Sequence, residues 1–303
     1  MSKVIILDGG MSRELMRLNA PFRQPEWSAL ALIEAPNLVE QVHAEFAAAG
    51  AQILTTDSYA LVPFHIGEER FHNSGEKLAA EAGRVARNAA DASETAVVAG
   101  SLPPLFGSYE PEKFNPELAP RYIEILVRGL AQFVDIWLGE TFSLIAEAEV
   151  VVKATANTNK PVWIAFTLDE SEDGPPRLRS GELVKDAAQW ALKSGVRALL
   201  FNCSRPEVVD DAVRTAKEVV ADKLRIGVYA NAFEPKPKME QANEGVSETR
   251  QDLNPVHYAE YAKRWRESGA SILGGCCGIG CEHIRELAAT FKDQAASHEE
   301  LLK

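Results

Sequence analysis

Apolar residues along this chain fall into short runs rich in β-branched side chains, separated by longer stretches with an amphipathic pattern. The short runs predict buried strands and the longer stretches predict helices. We count eight strand-like runs. They are VIILD (4–8), QILTT (52–56), AVVAGS (96–101), VDIWLGE (134–140), VWIAFT (162–167), ALLFNC (198–203), IGVYAN (226–231) and SILGGCC (271–277).

Capping residues mark where several of the intervening helices begin and end. Asn and Ser accept hydrogen bonds from the first turn of a helix, and Gly adopts the left-handed conformation that often ends one. Three such pairs bracket predicted helices: Asn37 with Gly50, Ser180 with Gly195, and Asn254 with Gly269. Pro255 strengthens the third, because proline is favoured at the first helical position.

The alternation of strands and helices predicts an α/β fold, a single-domain (β/α)8 TIM barrel over residues 1–303. A doubly wound sheet with a second domain is the alternative, but no linker or break in composition divides the chain. Two long polar connections, 169–180 and 233–253, follow the fifth and seventh strands. Both are expected on the carboxyl-terminal face, either as lids or as solvated loops.

Charge and hydropathy exclude some classes of partner. A net charge of -12 disfavours binding to nucleic acid or to an anionic membrane, since both require clustered Lys and Arg. No apolar run approaches the length of a membrane span. The amino terminus reaches Asp8 after only four apolar residues, too few for a secretory signal, so we expect a cytoplasmic protein. An oligomer is compatible with this composition.

Polar residues gather at the predicted carboxyl-terminal ends of the strands. A barrel projects these positions into one shared mouth, whereas any one of them alone could simply cap the next helix. Together they indicate a site. They are Asp8, the segment 55–58, Glu140, Asn202, Cys203, Asn231, Cys276 and Cys277.

The cysteines all lie in the final third of the chain, which is unlike a secreted disulfide framework. They are Cys203, Cys276, Cys277 and Cys281. Three thiolates around zinc would leave a fourth tetrahedral position open for a substrate. The glycines at 274–275 allow the backbone to turn, so that two consecutive cysteines can both reach inward. Spacing alone leaves a zinc site, buried structural cysteines and redox chemistry all open.

Five motifs occur in order at strand ends: LDGGMSREL (7–15), LTTDSYA (54–60), GET (139–141), FNCS (201–204) and GGCCGIGCEHI (274–284). Together they resemble the homocysteine S-methyltransferase family over essentially the whole chain. The resemblance implies zinc-dependent methyl transfer to the thiol of homocysteine or selenohomocysteine, giving methionine or its selenium analogue. Cys203, Cys276 and Cys277 match the family's three Zn2+ ligands.

The resemblance also implies where the substrates bind. Asp8, Gly9 and Gly10, together with Glu140, stand where the family holds the ammonium and carboxylate groups of the amino acid. Trp27, in the segment PEWSAL, resembles a position near the donor pocket. Tyr59 and Phe142 are further candidates for an aromatic wall, which would attract a cationic donor.

The chain contains nothing that resembles a cobalamin or folate domain, which favours a small donor. S-methylmethionine is the first choice, with S-adenosylmethionine and betaine as alternatives. Departures from the family pattern are Asp57 where Asn is expected, Cys281 where Pro is common, and YANAFEP at 229–235. We interpret Cys281 as a thiol outside the metal site. The functional alternatives are a thiol redox protein using Cys276 and Cys277, and a non-catalytic barrel that binds zinc or thiols.

Overall fold

A computed structural model describes residues 2–171, 174–233 and 249–302. Within these residues all eight predicted strands form, and they are parallel members of one sheet. The strands are β1 (Ile5–Ile6), β2 (Ile53–Thr55), β3 (Val97–Leu102), β4 (Ile136–Phe142), β5 (Val162–Phe166), β6 (Ala198–Asn202), β7 (Arg225–Tyr229) and β8 (Ile272–Leu273).

The order of the strands in the sheet is β1-β8-β7-β6-β5-β4-β3-β2. A parallel bridge between Leu7 and Ile53 joins the two ends of this order, so that the sheet forms a nearly closed barrel. The predicted (β/α)8 barrel is therefore confirmed. β8 lies beside β1 and is separated from β6 only by β7, as expected from closure.

Helices follow the strands around the outside of the barrel. They are α1 (Met11–Arg17), α2 (Ser28–Glu34), α3 (Pro36–Ala48), α4 (Pro63–Ile66), α5 (Glu68–Asp91), α6 (Ala119–Leu130), α7 (Ile145–Thr155), α8 (Val184–Ser194), α9 (Pro206–Val220), α10 (Pro255–Ser268) and α11 (Cys281–Thr290). Short 3-10 turns occupy Pro111–Lys113, Ala156–Thr158, Lys292–Gln294 and His298–Glu300.

Two predicted helix starts are wrong by one or more residues. α3 begins at Pro36 and not at a cap on Asn37, because Pro fits the first helical position directly. α8 begins at Val184, since Ser180 belongs to a hairpin in which Arg177 bridges Leu183. α10 begins as predicted, and the side chain of Asn254 accepts a hydrogen bond from the first turn.

Two apolar layers hold the barrel together. Inward-facing strand residues fill the lumen, and this cluster comprises Ile5, Leu7, Ile53, Val97, Ala99, Ile136, Leu138, Trp163, Ala165, Ala198, Leu200, Tyr229 and Ile272. The larger layer lies between the sheet and the helices. At the amino-terminal end of the lumen, Ala296 and Leu301 from the carboxyl-terminal segment complete the packing. The lumen is thus a packed core, and the carboxyl-terminal face is left for a site.

At the carboxyl-terminal face, the turns after β1 and β8 approach each other too closely for side chains. A Cβ atom added to Gly10 would lie 2.6 Å from the carbonyl oxygen of Cys276. One added to Gly274 would overlap the side chain of Leu7 and lie 3.0 Å from the carbonyl oxygen of Asp8. Glycine at these two positions therefore allows the turn that carries Cys276 and Cys277 to sit against β1.

No helix among the described residues is both long and apolar enough to cross a membrane.

We expect Gly10→Ala to lower the melting temperature by about 2 to 6 °C, because overpacking against a fixed backbone carbonyl typically costs 1 to 3 kcal/mol. Gly75→Ala in α5 is the control, since a Cβ there meets only side-chain carbons at 3.1 Å or more and alanine favours a helix. Differential scanning calorimetry measures both. A Gly10→Ala protein that melts with the wild type would contradict the close approach.

Candidate active site

Three cysteines meet at the mouth of the barrel. Cys203 directly follows β6, while Cys276 and Cys277 lie in the turn after β8. Their sulfur atoms all lie within 4.8 Å of one another, and the Sγ atoms of Cys276 and Cys277 are 4.0 Å apart. Cys203 and Cys276 form a disulfide, with Cα atoms separated by 5.6 Å. The structure therefore brings together the three residues that the sequence nominated.

The cluster fits a zinc site once it is reduced. Tetrahedral zinc with Zn–S bonds near 2.3 Å places sulfur ligands roughly 3.8 Å apart, close to the spacing of Cys276 and Cys277. The metal binds thiolates, so the disulfide and the metal-bound form are alternative states of these residues. Burial, with a further contribution from the charge of Glu140, raises the pKa of the Cys277 thiol to about 11. A nearby cation is needed to keep this thiol ionised at neutral pH.

Cys281 lies in a different group. It begins α11, and its backbone N–H donates to Oε1 of Glu14 at 3.1 Å. Its sulfur clusters with carboxylate oxygens of Glu14 and Glu45, while Arg17 forms ion pairs with both of these glutamates. In the described residues, the three-cysteine cluster does not include Cys281. This agrees with the interpretation of Cys281 as a thiol outside the metal site.

Asp8 is a buried carboxylate at the end of β1. Its two oxygens accept hydrogen bonds from the backbone N–H and the hydroxyl of Thr55, at 2.6 and 2.9 Å. Burial raises the pKa of Asp8 to about 7 despite these bonds, and the charge of Glu140 adds to the rise. The hydrogen bonds from Thr55 fix the orientation of this carboxylate but supply no positive charge to pair with it.

Glu140, near the end of β4, is the second buried carboxylate of the mouth. Its oxygens accept from the Ser101 hydroxyl at 2.5 Å and the Tyr229 hydroxyl at 3.1 Å. Burial is the main cause that raises the pKa of Glu140. Among the described residues, neither Asp8 nor Glu140 forms an ion pair with a basic side chain. Two fixed, buried carboxylates of this kind are suited to an ammonium group of a ligand.

The glycines of the DGG motif make room for the neighbouring turn. The N–H of Gly10 donates to the carbonyl oxygen of Ile279 at 2.8 Å, so this donor is already engaged. A Cβ atom on Gly9 would lie 2.9 Å from the ring of Phe46, and closer still to the Ile279 carbonyl. That Gly9 and Gly10 contact a substrate carboxylate stays a prediction.

The aromatic candidates have different surroundings. The Tyr59 hydroxyl lies 2.6 Å from Oγ of Ser108, and burial raises its pKa, with smaller contributions from the charges of Glu140 and Cys277. Tyr59 therefore lies beside the site. Trp27 packs edge-on against Phe22, and Phe142 is fully buried in the helix-facing core. The contact of Trp27 with a donor stays a prediction.

Several residues of the mouth have left-handed backbone conformations that are uncommon outside glycine. They include Trp27, Tyr109, Thr141 and Cys203, with φ between +48° and +68°. Asn202 stabilises one of these turns, because its side chain accepts from the Thr141 N–H at 3.0 Å and donates to the Thr141 hydroxyl at 2.8 Å. Concentrated backbone strain of this kind is typical of functional sites.

Comparison with known proteins identifies the family. The family model described as homocysteine S-methyltransferase matches residues 5–291. The chain belongs to this family. Homocysteine S-methyltransferase 1 of Brassica oleracea var. italica is 28% identical, with 95% of this chain and 93% of that protein covered. Selenocysteine methyltransferase of Astragalus bisulcatus is 26% identical, with 93% and 91% covered.

A solved structure agrees with this assignment. The metallated form of the homocysteine methyltransferase MmuM from Escherichia coli superposes with a TM-score of 0.77 at 25% identity, covering 95% of this chain and 96% of that one. The protein is thus an enzyme of the methyltransferase class. The match of the family model covers all three clustered cysteines and both buried carboxylates.

Sequence reasoning missed several residues of the site. Tyr229 carries an alternation signal, because it is an inward-facing position on β7. Ser101 ends a predicted strand but was not singled out. Tyr109 and Arg179 lie in loops after β3 and β5, and the guanidinium of Arg179 is 4.8 Å from the Tyr109 ring. No periodic pattern points to a residue in such a loop.

Asp57, where we expected Asn from the resemblance, follows β2 and is buried against the start of α2. Its side chain forms a hydrogen bond with Ser28, but Oδ2 has no hydrogen-bond partner. Burial raises the pKa of Asp57 to about 7. Because the unfolded chain releases this proton near pH 4, only the folded protein binds it between about pH 4 and 7. The contribution of Asp57 to stability is therefore lost as the pH rises through this window.

We expect Asp57→Asn to stabilise the protein by about 2 kcal/mol at pH 8, because it removes an unpaired buried charge. The gain should shrink towards pH 5, where Asp57 of the folded wild type is already protonated. Melting temperatures at pH 5 to 8 measure this, with Asp91→Asn on the exposed side of α5 as the control. A constant difference between Asp57→Asn and wild type across this range would contradict the assignment.

Proposed function

We propose that this protein transfers a methyl group from a small onium donor to the thiol of homocysteine or selenohomocysteine, using one Zn2+ held by Cys203, Cys276 and Cys277. S-methylmethionine is the favoured donor, with S-adenosylmethionine and betaine as alternatives. The observation that carries this proposal is the meeting of three cysteine sulfurs within 4.8 Å at the mouth of the barrel, beside Glu140.

The cysteines supply three ligands and leave the remaining tetrahedral position to the substrate. When bound, zinc would lower the pKa of the homocysteine thiol and hold it as a thiolate at neutral pH. Three anionic protein ligands keep such a sulfur electron-rich, which favours attack on a methyl group. The fit of Cys276 and Cys277 to zinc ligand spacing supports this arrangement.

Asp8 and Glu140 would bind the ammonium group of the acceptor. Their orientations are fixed by Thr55, Ser101 and Tyr229, so the acceptor amino acid is held at both ends, by its sulfur at the metal and by its ammonium group at the carboxylates. Holding both reactants in position converts a slow bimolecular encounter into a rapid step. Binding of the ammonium group would also stabilise the ionised forms of these two buried carboxyl groups, which form no ion pair among the described residues.

The transfer itself breaks one bond and forms another. The acceptor sulfur donates an electron pair to the methyl carbon, and the bond between that carbon and the onium atom breaks, leaving its electron pair on the donor. With S-methylmethionine as donor and homocysteine as acceptor, both products are methionine. Tyr59 and Tyr109 line the side of the mouth near Cys277, and aromatic rings attract a desolvated onium cation.

Selenium as an acceptor atom is supported by the Astragalus relative, whose name is selenocysteine methyltransferase. A selenol is more acidic than a thiol and fits the same open ligand position. We therefore include selenohomocysteine in the acceptor class.

Family membership disfavours the two alternatives. The disulfide in the structure joins Cys203 to Cys276, whereas the redox alternative drew on the pair Cys276 and Cys277. We interpret this disulfide as an oxidised form of the metal ligands. A non-catalytic barrel would bind zinc and homocysteine but leave every donor methylated. An assay with each of the three donors tests this directly.

We expect reduced wild-type protein to hold close to one zinc per chain and Cys276→Ser to hold little, with loss of at least about 100-fold in methyl transfer. Metal analysis after gel filtration and an assay for methionine with each of the three donors measure these. Cys281→Ser is the matched control and should retain both zinc and activity. Full zinc occupancy in Cys276→Ser would contradict the ligand assignment.

We expect Glu140→Gln to raise the KM for homocysteine by about 10- to 100-fold, because a charge-assisted hydrogen bond is worth roughly 1.5 to 3 kcal/mol. The thiol acid 4-mercaptobutanoate, which lacks the ammonium group, is the matched acceptor, and its KM should change little. Initial rates over a range of each acceptor give both values. An equal loss with both acceptors would place Glu140 outside the ammonium site.

A further inference from the structure

Arg179 is held at the mouth of the barrel by the hairpin that follows β5. Leu168 and Leu178 form an antiparallel bridge in this hairpin, and the N–H of Arg179 donates to the carbonyl oxygen of Thr167 at 3.1 Å. Thr167 itself directly follows β5, at the carboxyl-terminal face. The backbone therefore places Arg179 at the level of the site.

The guanidinium of Arg179 lies against an aromatic residue of the mouth. Its central carbon is 4.8 Å from the centre of the Tyr109 ring. Burial raises the pKa of Tyr109 well above its usual range, with further contributions from Tyr59 and Cys277, while the charge of Arg179 opposes the rise. These interactions place Arg179, Tyr109 and the thiol of Cys277 on the same side of the site.

Among the residues that the structure describes, Arg179 finds few hydrogen-bond partners. Its guanidinium forms one ion pair, with Glu170 at 3.6 Å, and within the described part of the chain its buried Nε–H has no hydrogen-bond partner. Glu170 is already engaged elsewhere, because its Oε1 accepts from the N–H of Arg205 at 3.0 Å. A planar cation with an available donor edge is suited to a carboxylate.

We propose that Arg179 receives the carboxylate of the methyl donor, so that the site selects onium donors that carry a carboxylate. This inference rests on the proposed function. An onium group accepts no hydrogen bonds and is repelled by Arg179, whereas a carboxylate on the same molecule forms a bidentate pair with it. Arg179 then orients the donor, with the onium group towards Cys277 and the carboxylate towards the hairpin.

Glu170 connects this contact to the metal site. Besides its contact with Arg179, it accepts from the backbone of Arg205, two residues after Cys203. The hairpin is thereby fastened to the segment that carries one metal ligand. The carboxylate of Glu170 thus connects the residue that would orient the donor to the segment that carries the metal ligand Cys203.

The test compares Arg179→Gln with wild type, using S-methylmethionine and its decarboxylated analogue (3-aminopropyl)dimethylsulfonium as donors. At saturating homocysteine, the variant should raise the KM for S-methylmethionine by about 10- to 100-fold and leave kcat within about twofold. Its KM for the decarboxylated donor should not rise, because this donor has no carboxylate for Arg179 to bind. Arg179→Lys, which keeps the charge but loses the planar fork, should fall between the two.

Arg177→Gln is the matched control, because this exposed arginine of the same hairpin donates to the carbonyl oxygen of Gly181. Zinc content should match wild type in every variant. An equal rise in KM for both donors, an unchanged KM for S-methylmethionine, or a rise confined to homocysteine would each overturn the role of Arg179.

Calorimetric titration of the zinc-loaded protein with S-methylmethionine separates this inference from the proposed function. Weaker binding to Arg179→Gln than to Arg177→Gln supports the carboxylate contact even if no methyl group is transferred. Equal binding to the two variants overturns it. Failure of wild type to methylate homocysteine with any donor would refute the proposed function alone.

Discussion

The mouth of this barrel gathers buried acidic groups whose ionisation is opposed by burial, which raises the pKa of Asp8, Glu140 and Cys277. Three cysteine sulfurs and the carboxylates of Asp8 and Glu140 converge there, and the described residues offer no ion pair to either carboxylate. Buried charge without compensation is costly, so the site is suited to ligands that bring positive charge. In the proposed reaction a metal ion, an ammonium group and an onium methyl donor each do so. The selection of these three cations follows from one electrostatic constraint.

The fold meets this constraint through close backbone packing at one edge. β8 lies between β1 and β7, and the turn that follows it fits against β1 only because Gly10 and Gly274 lack side chains. Left-handed conformations at Cys203 and Thr141 then direct the ends of β6 and β4. Hydrogen bonds from Asn202 hold the Thr141 turn in place. The geometry of the site therefore depends on glycines at close backbone contacts and on residues with strained, left-handed backbone conformations.

The strands and the main site residues could be predicted because they depend on local patterns. Each run rich in β-branched residues forms a strand. Because the carboxyl-terminal ends of barrel strands share one mouth, the positions of Asp8, Glu140 and the cysteines could be predicted as well. Helix starts were less predictable, since Pro36 competes with Asn37, and a hairpin occupies the residues before α8. The connection 233–253, predicted as a lid candidate, lies mostly outside the described residues.

Residues that approach the site through tertiary packing could not be predicted. Tyr109 and Arg179 come from loops whose positions depend on contacts across the mouth, such as that of Arg179 with the Tyr109 ring. The pairing of Cys203 with Cys276 likewise depends on barrel closure, because 73 residues separate them in sequence. The redox alternative drawn from the sequence named the neighbouring pair Cys276 and Cys277 instead.

Zinc K-edge X-ray absorption of the reduced, zinc-loaded protein tests the open ligand position most directly. We expect three sulfur ligands and one lighter ligand without substrate, and four sulfur ligands after homocysteine is added. Selenohomocysteine should introduce one selenium neighbour in the same position. Four sulfur ligands before homocysteine is added, or a ligand set that homocysteine leaves unchanged, would contradict a metal that binds and activates the acceptor.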